Sequence, residues 1–359
     1  MIYAGVAPKK LRILEGQCRS EGEARVIVRL EGRGRRTRSC YGEGAPRCRD
    51  QPELELNCEA PVVLSTPGGA PRSFGRRLRI KARGGRLKVV ARVEVEGYVA
   101  AVVHKELGNA PLEARKAQAI LARTYAARAS QEPRHEGAPL CDAQHCQAFP
   151  GLFHSKYGQQ IDPQPAQSTL SEILIESDDR PTPVFFHATC GGRTIAANRL
   201  WPGAQAPDLV AVDDLAPDGS AWCKDSAHHR WRAKLDNGEL ARALLPLVER
   251  TLDPRTLRLE QEDEDGVVWR IGDRAGIRRV PGARLQSTLG QVFGYQQVRS
   301  ARFTAKRRGT SMVLEGEGLG HGVGLCQAGA AARAKAGQSA HAILEAYFPK
   351  LRLKTGPWR

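Results

Sequence analysis

The sequence predicts an α+β fold, with a helical centre and β-rich flanking and inserted segments. Three observations carry this. Residues 10–95 break into short apolar–polar stretches punctuated by Gly and Pro: LRIL, ARVIVRL, LELN, APVVLS, LRIKA and LKVVARV. At Tyr98 the alternation gives way to helical spacing in YVAAVVHKEL, which Gly108-Asn109 breaks. Pro111 then opens PLEARKAQAILARTYAARAS, which is built mostly from strong helix formers.

The later elements follow the same logic. Residues 131–183 read as irregular, with several prolines and a Cys/His cluster. PVFFHATCGG at 183–192 reads as a buried strand running into a glycine turn, and NGELARALLPLVERT as a helix that Pro246 kinks or splits. Segments 265–315 return to strands in VVWRIG, VRSARFTAK and SMVLEGEG. The end, GLCQAGAAARAKAGQSAHAILEAYF, reads as two helices parted near Gly337. No internal repeat or low-complexity linker is present. The expected division is a β-rich, Cys-containing region at 1–85, a core at 86–240, a mixed helix and β-rich insert at 241–308, and the rest of the core at 309–359.

Composition excludes several classes. Of 359 residues, 41% are hydrophobic and 26% charged, a globular balance. No apolar run approaches the roughly 20 residues that cross a bilayer, so no transmembrane segment is expected. The opening MIYAGVAPKKLRILEG lacks the basic start and apolar centre of a secretion signal. The net charge of +16 invites a nucleic-acid reading. Aromatics are only 6%, however, and none interleave with GRGRRTR or FGRRLRIKARGGRLK, so no nucleic-acid partner is expected. LRIKARGGRLKVVARV reads instead as a two-stranded element with its basic residues on the solvated face; an ordinary basic surface and attraction to a polyanion such as a bacterial cell wall both fit such charge, which alone identifies no partner.

Nine cysteines favour an oxidising compartment. Cys18, Cys40, Cys48 and Cys58 read as a disulfide framework whose three pairings stay open, and the odd total leaves at least one thiol or metal ligand.

Three constellations can carry chemistry. Val99, Val102, Val103 and Glu106 are spaced to share one helix face, so a carboxylate continues an apolar stripe. Poor solvation raises a carboxyl pKa and suits it to protonating a leaving oxygen; the plainer alternative is a helix-end Glu paired with Lys105 or an Arg. His135, Cys141, His145 and Cys146 supply the donors zinc prefers, although His145 and Cys146 are neighbours whose side chains diverge. Zinc and a Cys141–Cys146 disulfide stay equally open, with free thiols a third and weaker reading. His187 in FFHATCGGRT and His321 in GLGHGVGLCQ are glycine-flanked, placed to hydrogen-bond a polar substrate or simply a loop backbone. Phosphate-loop, GxSxG and HExxH signatures are absent.

Together these blocks resemble the SpoIID/LytB family of bacterial cell-wall proteins. The resemblance rests on VEVEGYVAAVVHKELGNAPLEARKAQAILARTYAARAS, CDAQHCQAFPG, FFHATCGGRT and GLGHGVGLCQAGAAARAKAGQSAHAILEAYFP in that order, and covers roughly residues 70–350. It implies a peptidoglycan lytic transglycosylase with Glu106 as its single acid/base, closing the 6-hydroxyl of N-acetylmuramic acid onto C1 to leave a 1,6-anhydro end. A hydrolase needs a second carboxylate, for which Asp142 or Asp213 is available. By position, Arg123, Tyr125, Gln147, His187, Thr189, His321 and Gln327 become the substrate-binding candidates. The resemblance also implies structural zinc at His135, Cys141, His145 and Cys146, no cofactor for catalysis, and a cell-envelope location, periplasmic or extracellular, with the signal peptide outside this chain. A non-catalytic amidase enhancer of the LytB type, partnered by a cell-wall amidase, is the alternative. Gly97 stands where the family usually has an acidic residue, and Cys190 and Cys326 where it has small ones, which opens a Cys190–Cys223 pairing.

Overall fold

The computed structural model describes residues 2–5, 10–15, 17–20, 27–41, 47–133, 135, 138–143, 146–152 and 160–356. The chain is α+β and forms two compact units, Met1–Thr182 with Arg352–Arg359, and Pro183–Leu351.

The first unit holds two six-stranded sheets. One runs, by strand, 140–141, 2–5, 86–92, 77–83, 53–58 and 18–20; the other runs 47–51, 36–41, 27–33, 10–15, 63–65 and 72–73. Arg77–Arg83 alternates strictly, with Leu78, Ile80 and Ala82 buried and the four basic residues exposed, so the expected basic hairpin with Arg86–Arg92 is present. Its turn needs Gly84 and Gly85, both at positive φ. Cys18–Cys58 and Cys40–Cys48 are disulfides, each joining residues directly opposite on paired strands.

Helix α1, Val95–Leu107, begins three residues before the expected start. Its Tyr98, Val99, Val102 and Val103 are buried with Leu54, Leu56, Ile80 and Leu87 of the sheet. Fully burying side chains of this size contributes about 1.5–3 kcal/mol each, which outweighs the modest helix propensity of valine. Gly108, at φ 45°, ends the helix. Helix α2, Leu112–Gln131, packs on α1 through small residues such as Ala119, Ala122 and Ala126. The short α3 spans Gln164–Gln167.

In the second unit, the strand expected in PVFFHATCGG narrows to Phe186–His187, parallel to Leu325–Cys326. The short α4, Ala197–Leu200, follows. Two three-stranded sheets, 230–236 with 311–317 and 303–308, and 258–261 with 268–273 and 276–281, share a core with α5, Asn237–Val248, and α6, Gly282–Phe293. Pro246 sits inside the last turn of α5 and does not split it. Helix α6 corrects the strand reading of 265–315: Leu285 and Leu289, four apart, are fully buried against the sheets, and that packing decides for helix. Helices α7, Gln327–Lys335, and α8, Ala340–Tyr347, are the expected pair.

Candidate active site

Glu106 lies in the last turn of α1, half-buried, on the face that buries Val99, Val102 and Val103. A carboxylate is a poor choice at a helix C-terminus, where carbonyl dipoles oppose it. A donor from outside the helix compensates: the Ala148 amide reaches Glu106 Oε1 at 3.3 Å.

The segment that brings Ala148 there is clamped at several points. Arg72 donates to Asp142 Oδ2 at 2.7 Å and to the carbonyls of Phe149 and Pro150. Leu152 pairs with Ser73, the Tyr98 and Phe149 rings stack at 5.3 Å, and the Tyr98 hydroxyl donates to Gln147 Oε1 at 3.0 Å. Gln147 is buried, and its Nε2 has no hydrogen-bond partner among the described residues. A buried donor left in this way costs about 1–3 kcal/mol, a cost that a ligand acceptor would remove.

The same segment carries the Cys/His cluster. His135 Nε2 is 3.1 Å from Cys146 Sγ, and the ligand atoms of His135, Cys141 and Cys146 lie within 4.8 Å of one another. Cys141 and Cys146 are not disulfide-bonded. Burial, opposed by the Ala143 backbone and reinforced by Cys146, pushes the Cys141 thiol up to about 11. Two thiols and an imidazole at this separation fit three positions of a tetrahedral zinc site. His145 lies outside the described residues.

Arg123 is fully buried and makes a two-pronged pair with Glu96, at 2.9 and 2.6 Å, while also donating to the carbonyls of Ala166 and Glu172. These bonds tie α2 to α1. Tyr125, two positions further along the same helix, is half-buried against the core.

The remaining predicted residues belong to the second unit. His187 is buried, with Nδ1 3.2 Å from the Val323 carbonyl, so Nδ1 donates and Nε2 is left as an acceptor without a partner among the described residues. His321 Nδ1 accepts from the Val323 amide, and the two rings lie 5.6 Å apart. Burial, then His321, holds His187 down to about 3; burial holds His321 down to about 4. Both rings are therefore neutral near pH 7. Thr189 Oγ1 is 2.9 Å from Ser226 Oγ, and Thr189 lines a pocket with Arg302, Glu317 and His321. Gln327 opens α7 with a buried Nε2 that has no hydrogen-bond partner among the described residues. Asp213 is exposed beside Arg193 at 3.7 Å.

Three contributors escape a reading of the sequence. Glu96 and Arg123 are 27 positions apart, and no local pattern pairs them. The Ala148 amide is a backbone group, invisible in residue identity. Tyr98 is readable as a helix residue, but its bond to Gln147 depends on the fold.

Residues 83–175, which span α1, α2 and the clamped segment, match the family described as Stage II sporulation protein. The chain is 27% identical to Stage II sporulation protein D of Bacillus amyloliquefaciens over 276 residues, 72% of this chain and 74% of that protein. It is also 27% identical to an uncharacterised protein of Brachyspira hyodysenteriae over 266 residues, covering 72% of this chain and 66% of the relative. A stretch of 70 residues, 20% of this chain, is 37% identical to 9% of an amidase enhancer of Bacillus subtilis. The family match over residues 83–175 and these relatives support a likeness of the chain to the SpoIID/LytB family.

Proposed function

We propose that this chain is a cell-envelope lytic transglycosylase that cleaves peptidoglycan glycan strands after N-acetylmuramic acid. The observation that carries this is Glu106, set at the end of an apolar helix face and met by the Ala148 amide of a clamped segment. A single carboxyl so held serves both halves of the reaction. It donates its proton to the glycosidic oxygen as the bond to C1 breaks, then accepts the proton of the sugar's own 6-hydroxyl as that oxygen closes onto C1. No water enters, so no second carboxylate is required, and Asp142 keeps its contact with Arg72. Tyr125 and the free amide hydrogens of Gln147 are assigned to sugar hydroxyls and acetamido groups. In the second unit, His187, Thr189, His321 and Gln327 form another set of neutral polar groups suited to the same work, and Arg123 keeps α1 in place.

Zinc at His135, Cys141 and Cys146, with His145 as the remaining candidate, would be structural. It would brace the segment that brings Ala148 to Glu106 and supplies no step of the reaction.

Peptide-free glycan strands should be cut to products with anhydro ends, read by mass. Glu106→Gln is expected to lower the rate by roughly 10²–10⁴ while keeping the far-UV spectrum of the folded protein. Equal rates in the two proteins would remove Glu106 from the role. A second reading, an amidase enhancer that binds wall without cutting it, is favoured by the 37% identical stretch. It predicts co-sedimentation with purified wall and amidase stimulation with no new glycan ends.

A further inference from the structure

Three of the five free thiols belong to the second unit. Cys190, Cys223 and Cys326 are all buried in the second unit, and the ligand atoms of these three and of Asp214 lie within 4.8 Å of one another. Cys190 Sγ is 3.6 Å from Cys223 Sγ and 3.3 Å from Asp214 Oδ2. A tetrahedral zinc with Zn–S of about 2.3 Å sets its sulfurs about 3.8 Å apart, close to this spacing. The disulfide opened by sequence at Cys190–Cys223 is not formed. Three thiols also cannot all be satisfied by disulfides among themselves.

The surroundings are those of thiolates. Amide hydrogens point at sulfur from Cys190 to Cys326 at 3.2 Å, from Gly192 to Cys190 at 3.2 Å, and from Gly329 to Cys326 at 3.3 Å. Gly191 and Gly192, both at positive φ, fold the chain back so that the second of these can form. Cys326 caps the N-terminus of α7, where the helix dipole favours negative charge. Arg333 donates to Asp214 Oδ1 at 3.1 Å, orienting the carboxylate so that Oδ2 is left toward the sulfurs. Such outer contacts are what hold metal ligands in place.

We propose that Cys190, Asp214, Cys223 and Cys326 hold one zinc-class divalent ion. The site is separate from the His135 cluster and does not depend on the transglycosylase reading. Binding releases the three thiol protons to solvent and joins segments from the strand at 186–187, the 213–229 loop and the start of α7. The ion is a clasp for the part of the second unit that carries His187 and Gln327.

The test uses the full chain carrying Cys141→Ser and Cys146→Ser, purified without chelator. It is expected to retain one equivalent of zinc, and cobalt in its place should show thiolate-to-cobalt charge transfer and tetrahedral ligand-field bands. Adding Cys223→Ser should lose that equivalent. Because this variant can fail to fold, the parent is also labelled with iodoacetamide under native conditions. Cys190, Cys223 and Cys326 should stay unlabelled until a chelator is added. A metal-free double variant, a Cys190–Cys223 disulfide, zinc that survives Cys223→Ser, or labelling indifferent to chelator would each overturn the proposal.

Discussion

Arg123 shows how one buried residue can tie two helices together. Its side chain is fully buried, whereas that of Glu96 keeps 31% exposure. Removing the arginine leaves a half-solvated carboxylate and two carbonyls without their donor. Breaking a buried pair costs about 3–5 kcal/mol, and the exposure of Glu96 places Arg123→Ala at the lower end, about 3 kcal/mol in urea unfolding. The histidine pair gives a pH signature. An unfolded histidine titrates near 6.5, while burial holds His187 to about 3 and His321 to about 4, with Arg302 also lowering His187 and the Val323 carbonyl and Cys223 opposing. Between those values the unfolded chain binds more protons than the folded one. Stability therefore falls as pH drops from about 6.5 towards 4. Urea midpoints measured across that range should trace the slope, and His187→Gln should flatten it.

At the scale of elements, cross-strand disulfides and helix ends do the positioning. Cys18–Cys58 closes a separation of 40 residues and Cys40–Cys48 one of 8. Loop-closure entropy gives about 4 kcal/mol for the longer and about 2.5 kcal/mol for the shorter. The Cys18→Ser/Cys58→Ser protein should thus unfold at lower urea than Cys40→Ser/Cys48→Ser, by about 1.5 kcal/mol in extrapolated stability. The pairing was not legible in the sequence, because four cysteines allow three schemes and only strand register selects one. Helix α1 was legible, since its valine spacing and Gly108 are local signals. Helix α6 was not: LQSTLGQVF is short, and its two buried leucines become decisive only against the sheets they pack on.

For the whole molecule, the +16 is concentrated partly on the exposed faces of strands such as Arg77–Arg83, where Arg77, Arg79, Lys81 and Arg83 all meet solvent. Among the described residues no helix is long and apolar enough to cross a membrane. Attraction of such a surface to an anionic wall is screened within about 10 Å at 0.1 M salt. Co-sedimentation with purified wall should fall steeply as salt rises from low to near-molar, and a salt-independent pellet would exclude a charge-driven hold. The sequence by itself determined the α+β class, helix α1 with Glu106 continuing its apolar face, and the resemblance to the SpoIID/LytB family, because periodicity, turn residues and ordered motifs are encoded over short spans. Only the tertiary structure decided that Glu96 meets Arg123, that Ala148 meets Glu106, and that Cys190, Cys223 and Cys326 converge on Asp214. Those contacts join residues 27 to 136 positions apart, and a chain's composition does not say which of its distant parts the core will bring together.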